Sequence, residues 1–336
     1  MIPRVASFYD GRQRNDGNPL YVTAAIRRDY PAAVLEYHHI VPDPALQFST
    51  LGKFDAHLWI DWGEDALAGG LGYTPIVAPP RTAYWASDTH LGYEYRCQKA
   101  REMAWVFVAQ RDAVARMEAD GVTAPVEWLP HAVEPDAYNP AAVYTGTDAE
   151  RVAAAGTVRL KRWDWSFVGH LNTEARIAWL DAVFRAFPSG WFGSRRTGRT
   201  FERAADLYTQ ARVVLNEAIR GDVNMRVFEV LATRSFLLTP AVPGLEDLFT
   251  DGVHLVTYRD GDIADCLDKL AYWLPREAER EAIAEAGYRE VLASHTFAHR
   301  VARMFEVMGL DVPRPASVTE FDRRVPMGAL VEARHA

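Results

Sequence analysis

A chain of 336 residues is too long for one ordinary hydrophobic core and suits two α/β domains of about 150 residues each. Hydrophobic content of 49% beside 24% charged residues is that of a soluble globular protein, and a net charge of −8 argues against a nucleic-acid surface. The two cysteines, Cys97 and Cys266, fall in opposite halves and imply neither a disulfide framework nor a Cys-rich metal site, so a reducing cytoplasm is the expected home. The N-terminus MIPRVASFYDGR lacks the apolar segment of a signal peptide, and no stretch approaches the ~18 apolar residues of a membrane span.

In the first half, strands are expected over 5–9, 33–37, 57–60, 75–78, 105–109 and 126–129. Helical patterns lie between several of them, most clearly over 111–119. Strands separated by helices imply parallel crossovers and a Rossmann-like sheet. No G-x-G-x-x-G follows the first strand, and Gly69-Gly70-Leu71-Gly72 reads as a turn. From 131 to 162 the rhythm is lost among Pro135, Pro140 and small polar residues, with one short helical piece over 148–154.

The second half restarts with a strand over 165–168 and a helix over 173–187, for which Asn172 or Thr173 is the N-cap. Further strands are expected over 191–192, 213–216, 236–239 and 254–258. The end is helical over 263–274, 276–292 and 296–308, with Pro275 separating the first two. This divides the chain into 1–140, a connection over 141–162, a second domain over 163–310 and a tail over 311–336.

The densest chemistry lies at Asn224-Met225-Arg226-Val227-Phe228-Glu229, which opens a helix after the strand over 213–216. Ligands of open parallel sheets sit at such strand ends. The helix start offers N–H groups and a positive dipole end to a phosphate. Arg226 adds a bidentate donor, and Glu229, on the same face, suits ribose hydroxyls. The plain alternative is an exposed ion pair of little worth. Gly169 lets a backbone approach a phosphate, and His170 can donate to a diphosphate or sugar; a strand-end turn explains both equally well. Arg176, Arg195 and Arg196 are candidate cations for a leaving diphosphate, and Tyr258 is placed against its base or sugar. Asp260-Gly261-Asp262 has the D-x-D form of metal-dependent transferases, but it precedes a helix and capping explains it. In the first half, His90 is a candidate general base on an acceptor hydroxyl, oriented by Asp88. Asp61, Asp10, Asn15 and Asn18 are alternatives on that side. His38-His39 and His131 with Glu134 lack a third ligand, so no metal site is expected.

The N-x-R-x-F-E pattern, with Ala232-Thr233 and Pro243-Gly244-Leu245-Glu246-Asp247-Leu248-Phe249 after it, resembles the glycosyltransferases of the spore-maturation CgeB type. These are similar to the wider group 1 glycosyltransferases. The resemblance covers about 164–308, through Phe167–His170, Arg176, Tyr258-Arg259-Asp260, Ala284–Gly287, His295-Thr296-Phe297 and Arg300. It implies the GT-B fold, two Rossmann-like domains with parallel sheets facing across a cleft, in which the C-terminal segment often crosses back to the first domain. It also implies metal-independent transfer of a sugar from a nucleoside diphosphate sugar, with a UDP-sugar expected, to an acceptor hydroxyl, using no cofactor. Glu229 takes the position of the family's ribose-binding Glu. The second Glu of that signature lies eight residues earlier, where this chain has Gly221 beside Asp222. The resemblance to group 1 enzymes favours retention at the anomeric carbon, whereas a His90 or Asp88 base suits inversion. A nucleotide-sugar epimerase of the same fold and a non-catalytic sugar- or nucleotide-binding relative are the competing readings. A DNA-modifying transferase would need a basic groove on this acidic chain.

Overall fold

The computed structural model describes residues 3–8, 17–30, 33–37, 54–61, 81–140, 161–171, 173–193, 204–316 and 318. Asp10, Asn15, His38, His39, Gly69–Gly72, Asn172, Arg195, Arg196, the expected strand over 75–78 and the expected helix over 148–154 all lie outside them. The chain separates into two compact units, Met1–Ala132 with Thr296–Ala336, and Val133–His295. Among the described residues, no helix is long and apolar enough to cross a membrane.

Among the described residues, the first unit has six parallel strands: β1 (Arg4–Phe8), β2 (Ala33–Tyr37), β3 (Ala56–Ile60), β4 (Thr82–Ala86), β5 (Trp105–Val108) and β6 (Val126–Trp128). Their order is β2-β1-β3-β4-β5-β6. Helices α1 (Asn18–Asp29), α2 (Tyr93–Ala100) and α3 (Ala113–Ala119) lie between them in sequence. Every residue of β3 and β4 is buried, as befits central strands covered on both faces. The strands expected from the sequence pass from 75–78 to 105–109 and leave out 82–86, where Trp85 belongs to β4. Its ring is 1% exposed, and its indole N–H donates to Leu129 O at 3.1 Å. Thr-Ala-Tyr-Trp-Ala is a short apolar run without alternation, and such a run does not declare itself a strand.

Among the described residues, the second unit has five parallel strands: β7 (Trp163–Val168), β8 (Gly190–Gly193), β9 (Ala211–Leu215), β10 (Leu237–Ala241) and β11 (Val256–Arg259), in the order β11-β10-β9-β7-β8. Helices α4 (Glu174–Ala186), α5 (Ala204–Gln210), α6 (Met225–Ala232), α7 (Leu245–Leu248), α8 (Ile263–Trp273) and α9 (Glu277–Ser294) accompany them. Thr173 is the N-cap of α4, its hydroxyl accepting from the Arg176 N–H at 3.3 Å. Trp165, Phe167, Leu180, Val213, Leu215, Leu238 and Leu270 form the core. At Gly287 a Cβ would run into the His254 carbonyl, so only glycine lets α9 come this close.

A last helix, α10 (Phe297–Val307), belongs to the first unit. The sequence reading keeps it with 163–310, whereas its contacts are with α1. Phe297 meets Tyr21 at 5.3 Å between ring centroids, and Phe305 meets Tyr30 at 5.4 Å. Arg300 is buried and donates to Pro130 O at 2.8 Å and His131 O at 2.9 Å. Burial pushes its guanidinium down to about 9. Helical periodicity reports that a face is buried, not against which partner.

In both sheets the strand order reverses beside the first strand, between β1 and β3 and between β7 and β9. Such switch points open crevices at the carboxyl ends of parallel strands.

Candidate functional site

At the second switch point, Gly169-His170 leave β7, Asn216-Glu217 leave β9, and α6 begins at its N-cap Asn224. Arg226, on the first turn of α6, reaches back over this junction. Its Nε donates to Val168 O at 2.6 Å and its Nη1 to Asn216 Oδ1. The guanidinium carbon stands 4.6 Å from the centre of the Phe167 ring. A Cβ on Gly169 would collide with Arg226 Nη2 and come within 2.7 Å of the Phe167 ring. The glycine expected to admit a phosphate therefore admits this arginine.

Asn216 joins the parts. It is 1% exposed, and its Oδ1 also accepts from Asn224 Nδ2 at 3.2 Å. Its Nδ2 donates to Thr239 Oγ1 at 3.0 Å, and its carbonyl accepts from the Tyr258 hydroxyl at 2.7 Å. Tyr258, expected beside the donor, is thus an interior residue, 2% exposed, that ties β11 to β9. Burial drives its phenol far above the usual range.

Arg176 is 3% exposed. Its Nε meets the Glu217 carboxylate, Nη1 donates to His170 O at 3.0 Å, and Nη2 donates to Glu217 O at 3.2 Å. It clamps the two loops that leave β7 and β9, and Glu217 balances its charge. The sequence reading made it a cation for the leaving group. The His170 side chain is half-buried at the same junction.

Glu229 is 3% exposed, which excludes the exposed ion pair with Arg226. Its Oε2 accepts from the Tyr208 hydroxyl, on α5, at 3.2 Å. The missing second Glu has a backbone reason: Gly221 has φ 73°, a left-handed turn that a Glu side chain resists. Asp222 beside it is buried. Asp262 caps α8 by accepting from the Asp265 N–H at 3.0 Å, and it pairs with Arg259 at 3.0 Å.

In the first unit, Asp61 ends β3 fully buried. It takes Arg96 Nε at 2.5 Å and the Tyr84 hydroxyl at 3.0 Å. Asp88 opens the turn Thr89–Leu91, its carbonyl accepting from the Leu91 N–H at 3.0 Å, and His90 stands half-buried on that turn. Burial raises the Asp88 carboxyl to about 6; the Arg96 charge opposes this and the Asp61 charge adds to it. Asn18, at the start of α1, lies 3.0 Å by its Nδ2 from His131 Nδ1. Burial, with the His90 and Arg300 charges, pushes His131 down to about 3.

Asn216, Glu217 and Tyr208 were not singled out from the sequence. The one available signal was Asn-Glu placed directly after the apolar run of β9.

Residues 151–306 match the family model described as Glycosyl transferase-like. No curated protein matches the chain in sequence. Among solved structures, it is similar to Anabaena HepE in complex with UDP and glucose, at TM-score 0.63 and 11% identity over 91% of this chain and 99% of that one. Sucrose-phosphate synthase from Thermosynechococcus elongatus gives TM-score 0.60 at 12% identity, over 91% and 98%. A glycosyltransferase from Rickettsia africae gives 0.57 at 8%, also over 91% and 98%. The shared architecture is GT-B.

Proposed function

We propose that this chain is a metal-independent glycosyltransferase that moves a sugar from a nucleoside diphosphate sugar, a UDP-sugar in the first instance, to an acceptor hydroxyl. The observation that carries the reading is the assembly of Asn216, Arg226 and Asn224 at the β7/β9 switch point, with Glu229 buried on the same helix. It falls inside the stretch that matches the glycosyl transferase-like model, and a neighbour of the same fold is described in complex with UDP and glucose.

In this reading the second unit takes the donor. Glu229 receives the ribose hydroxyls, and Gly169, His170, Asn224 and Arg226 surround the diphosphate. Arg176 and Tyr258 position the loops beneath. As the bond from the anomeric carbon to the diphosphate breaks, its electron pair leaves with the diphosphate. Arg226 and the α6 dipole stabilise that charge. The use of Asp262 as a helix cap supports the metal-independent reading. The first unit carries the acceptor, whose oxygen bonds to the anomeric carbon and whose proton passes to His90 or Asp88. A carboxyl held at about 6 is well matched to that task near neutral pH.

Calorimetric titration with UDP, GDP and TDP tests the donor site on the wild type and on Glu229→Gln. The Gln variant keeps an acceptor for Tyr208. One nucleotide should saturate the wild type, and the variant should bind it about tenfold or more weakly. A folded wild type that binds none of the three rejects the glycosyltransferase reading. Turnover of the donor sugar without acceptor would point to an epimerase instead.

A further inference from the structure

Asn is among the residues best suited to close a helix by accepting from its first-turn N–H groups. Asn224 is the N-cap of α6 and makes no such bond. Its Nδ2 donates to Asn216 Oδ1 instead, at 3.2 Å, while its own Oδ1 is buried without a hydrogen-bond partner. Asn216 causes this. Its Oδ1 faces two donors, Asn224 Nδ2 and Arg226 Nη1, and its Nδ2 donates to Thr239 Oγ1. That pattern fixes which end of the amide is oxygen. The Tyr258 hydroxyl on its carbonyl and its own N–H on Leu238 O, at 2.9 Å, hold the residue to β10 and β11. The amide therefore cannot turn to release Asn224 without breaking its bond to Thr239.

We propose that Asn216 is a positioning residue for the donor's diphosphate: it draws Asn224 off the α6 N-terminus and holds Arg226 over Phe167, leaving the helix start open to an anion. The inference rests on the nucleotide-sugar reading above and names the residue that readies that site. A helix start without a side-chain cap keeps unsatisfied N–H groups and the positive end of the helix dipole. A phosphate satisfies both. One local departure stands out here: the amide oxygen of the N-cap residue is buried, yet it neither caps the helix nor finds another partner. Such a departure is expected where a ligand, rather than the chain, completes the structure.

The test uses the full chain and three titrants: inorganic pyrophosphate, UDP and, as the phosphate-free control, uridine. Asn216→Ala removes both holds and frees Asn224 to cap α6. Asn216→Leu keeps the volume but removes the oxygen that accepts from Asn224 and Arg226, so it tests the same idea without a cavity should the Ala variant fail to fold. Both variants should bind pyrophosphate and UDP about tenfold or more weakly while uridine affinity stays within about twofold. A folded variant with wild-type affinity for pyrophosphate and UDP overturns the inference. So does a loss of uridine binding in the same proportion, which would make Asn216 a purely structural residue. A wild type that binds neither pyrophosphate nor any nucleotide fails earlier, at the nucleotide-sugar reading itself.

Discussion

His131 shows how a single residue ties the first unit to pH. Its ring is buried against Trp85, shares a hydrogen bond with Asn18, and lies near the Arg300 charge. Burial first, then the His90 and Arg300 charges, favour the neutral form and outweigh a backbone bond at Ser87, lowering the His131 pKa to about 3. The sign follows directly. As pH falls below about 6.5 the unfolded chain takes up a proton at this position, and the folded chain refuses it until about 3. Acid therefore favours unfolding through His131. Asp88 works the other way, because its carboxyl is raised to about 6 and the folded form binds the proton first. Comparison of wild type with His131→Asn isolates the histidine, since Asp88 contributes to both. The stability difference should shrink as pH drops from 6.5 toward 3, by up to about 1.4 kcal/mol per pH unit. Denaturant melts across that range would refute the assignment if the difference stayed flat.

At the scale of elements, Asp262 separates two explanations of one motif. Asn caps a helix about as well as Asp but is a far poorer cation ligand. Asp262→Asn should therefore leave the melting temperature and sugar transfer nearly unchanged, whereas Asp262→Ala should cost about 1 kcal/mol of stability. Collapse of transfer in the Asn variant, with rescue by added Mg²⁺ or Mn²⁺, would restore the metal reading. The same contrast marks what the sequence made legible. The helix starts at Thr173 and Asp262, the buried strands β7, β9 and β10, and the Arg226 and Glu229 positions could all be read, because caps, apolar runs and helical spacing are local. The helix α5 could not, because its seven residues make barely two turns and cannot display a period. Its Tyr208 was lost with it. Asn216 and Glu217 escaped for another reason. Their importance lies in bonds to residues as far as 42 positions away, and such bonds leave no spacing to recognise. Arg176 was legible as a residue, but not the Glu217 that balances it, so its charge was assigned to a ligand.

Along the chain, the second unit is inserted between two segments of the first. The chain leaves the first unit after Ala132 and re-enters it at Thr296. The two ends of the second unit meet, with the Val133 N–H donating to His295 O at 3.1 Å. A contiguous segment with adjacent ends and its own core has what a domain needs to fold alone. The first unit does not have this advantage, because α10 arrives from the far end of the chain. Phe297, Val301, Met304 and Phe305 of α10 are all buried. At about 1.5–3 kcal/mol for each buried side chain they contribute about 6–12 kcal/mol, comparable with the entire net stability of a domain, about 5–15 kcal/mol. Removing α10 also leaves the carbonyls of Pro130 and His131 without Arg300. A fragment of residues 133–295 is therefore expected to unfold cooperatively on heating, whereas a fragment of residues 1–132 should show no cooperative transition. Because the residues proposed to hold the donor all lie in the second unit, the fragment 133–295 should also keep the nucleotide affinity of the full chain to within about tenfold, which calorimetry can measure directly. A folded fragment that binds no nucleotide bound by the intact chain would show that the donor site draws essential groups from outside the second unit.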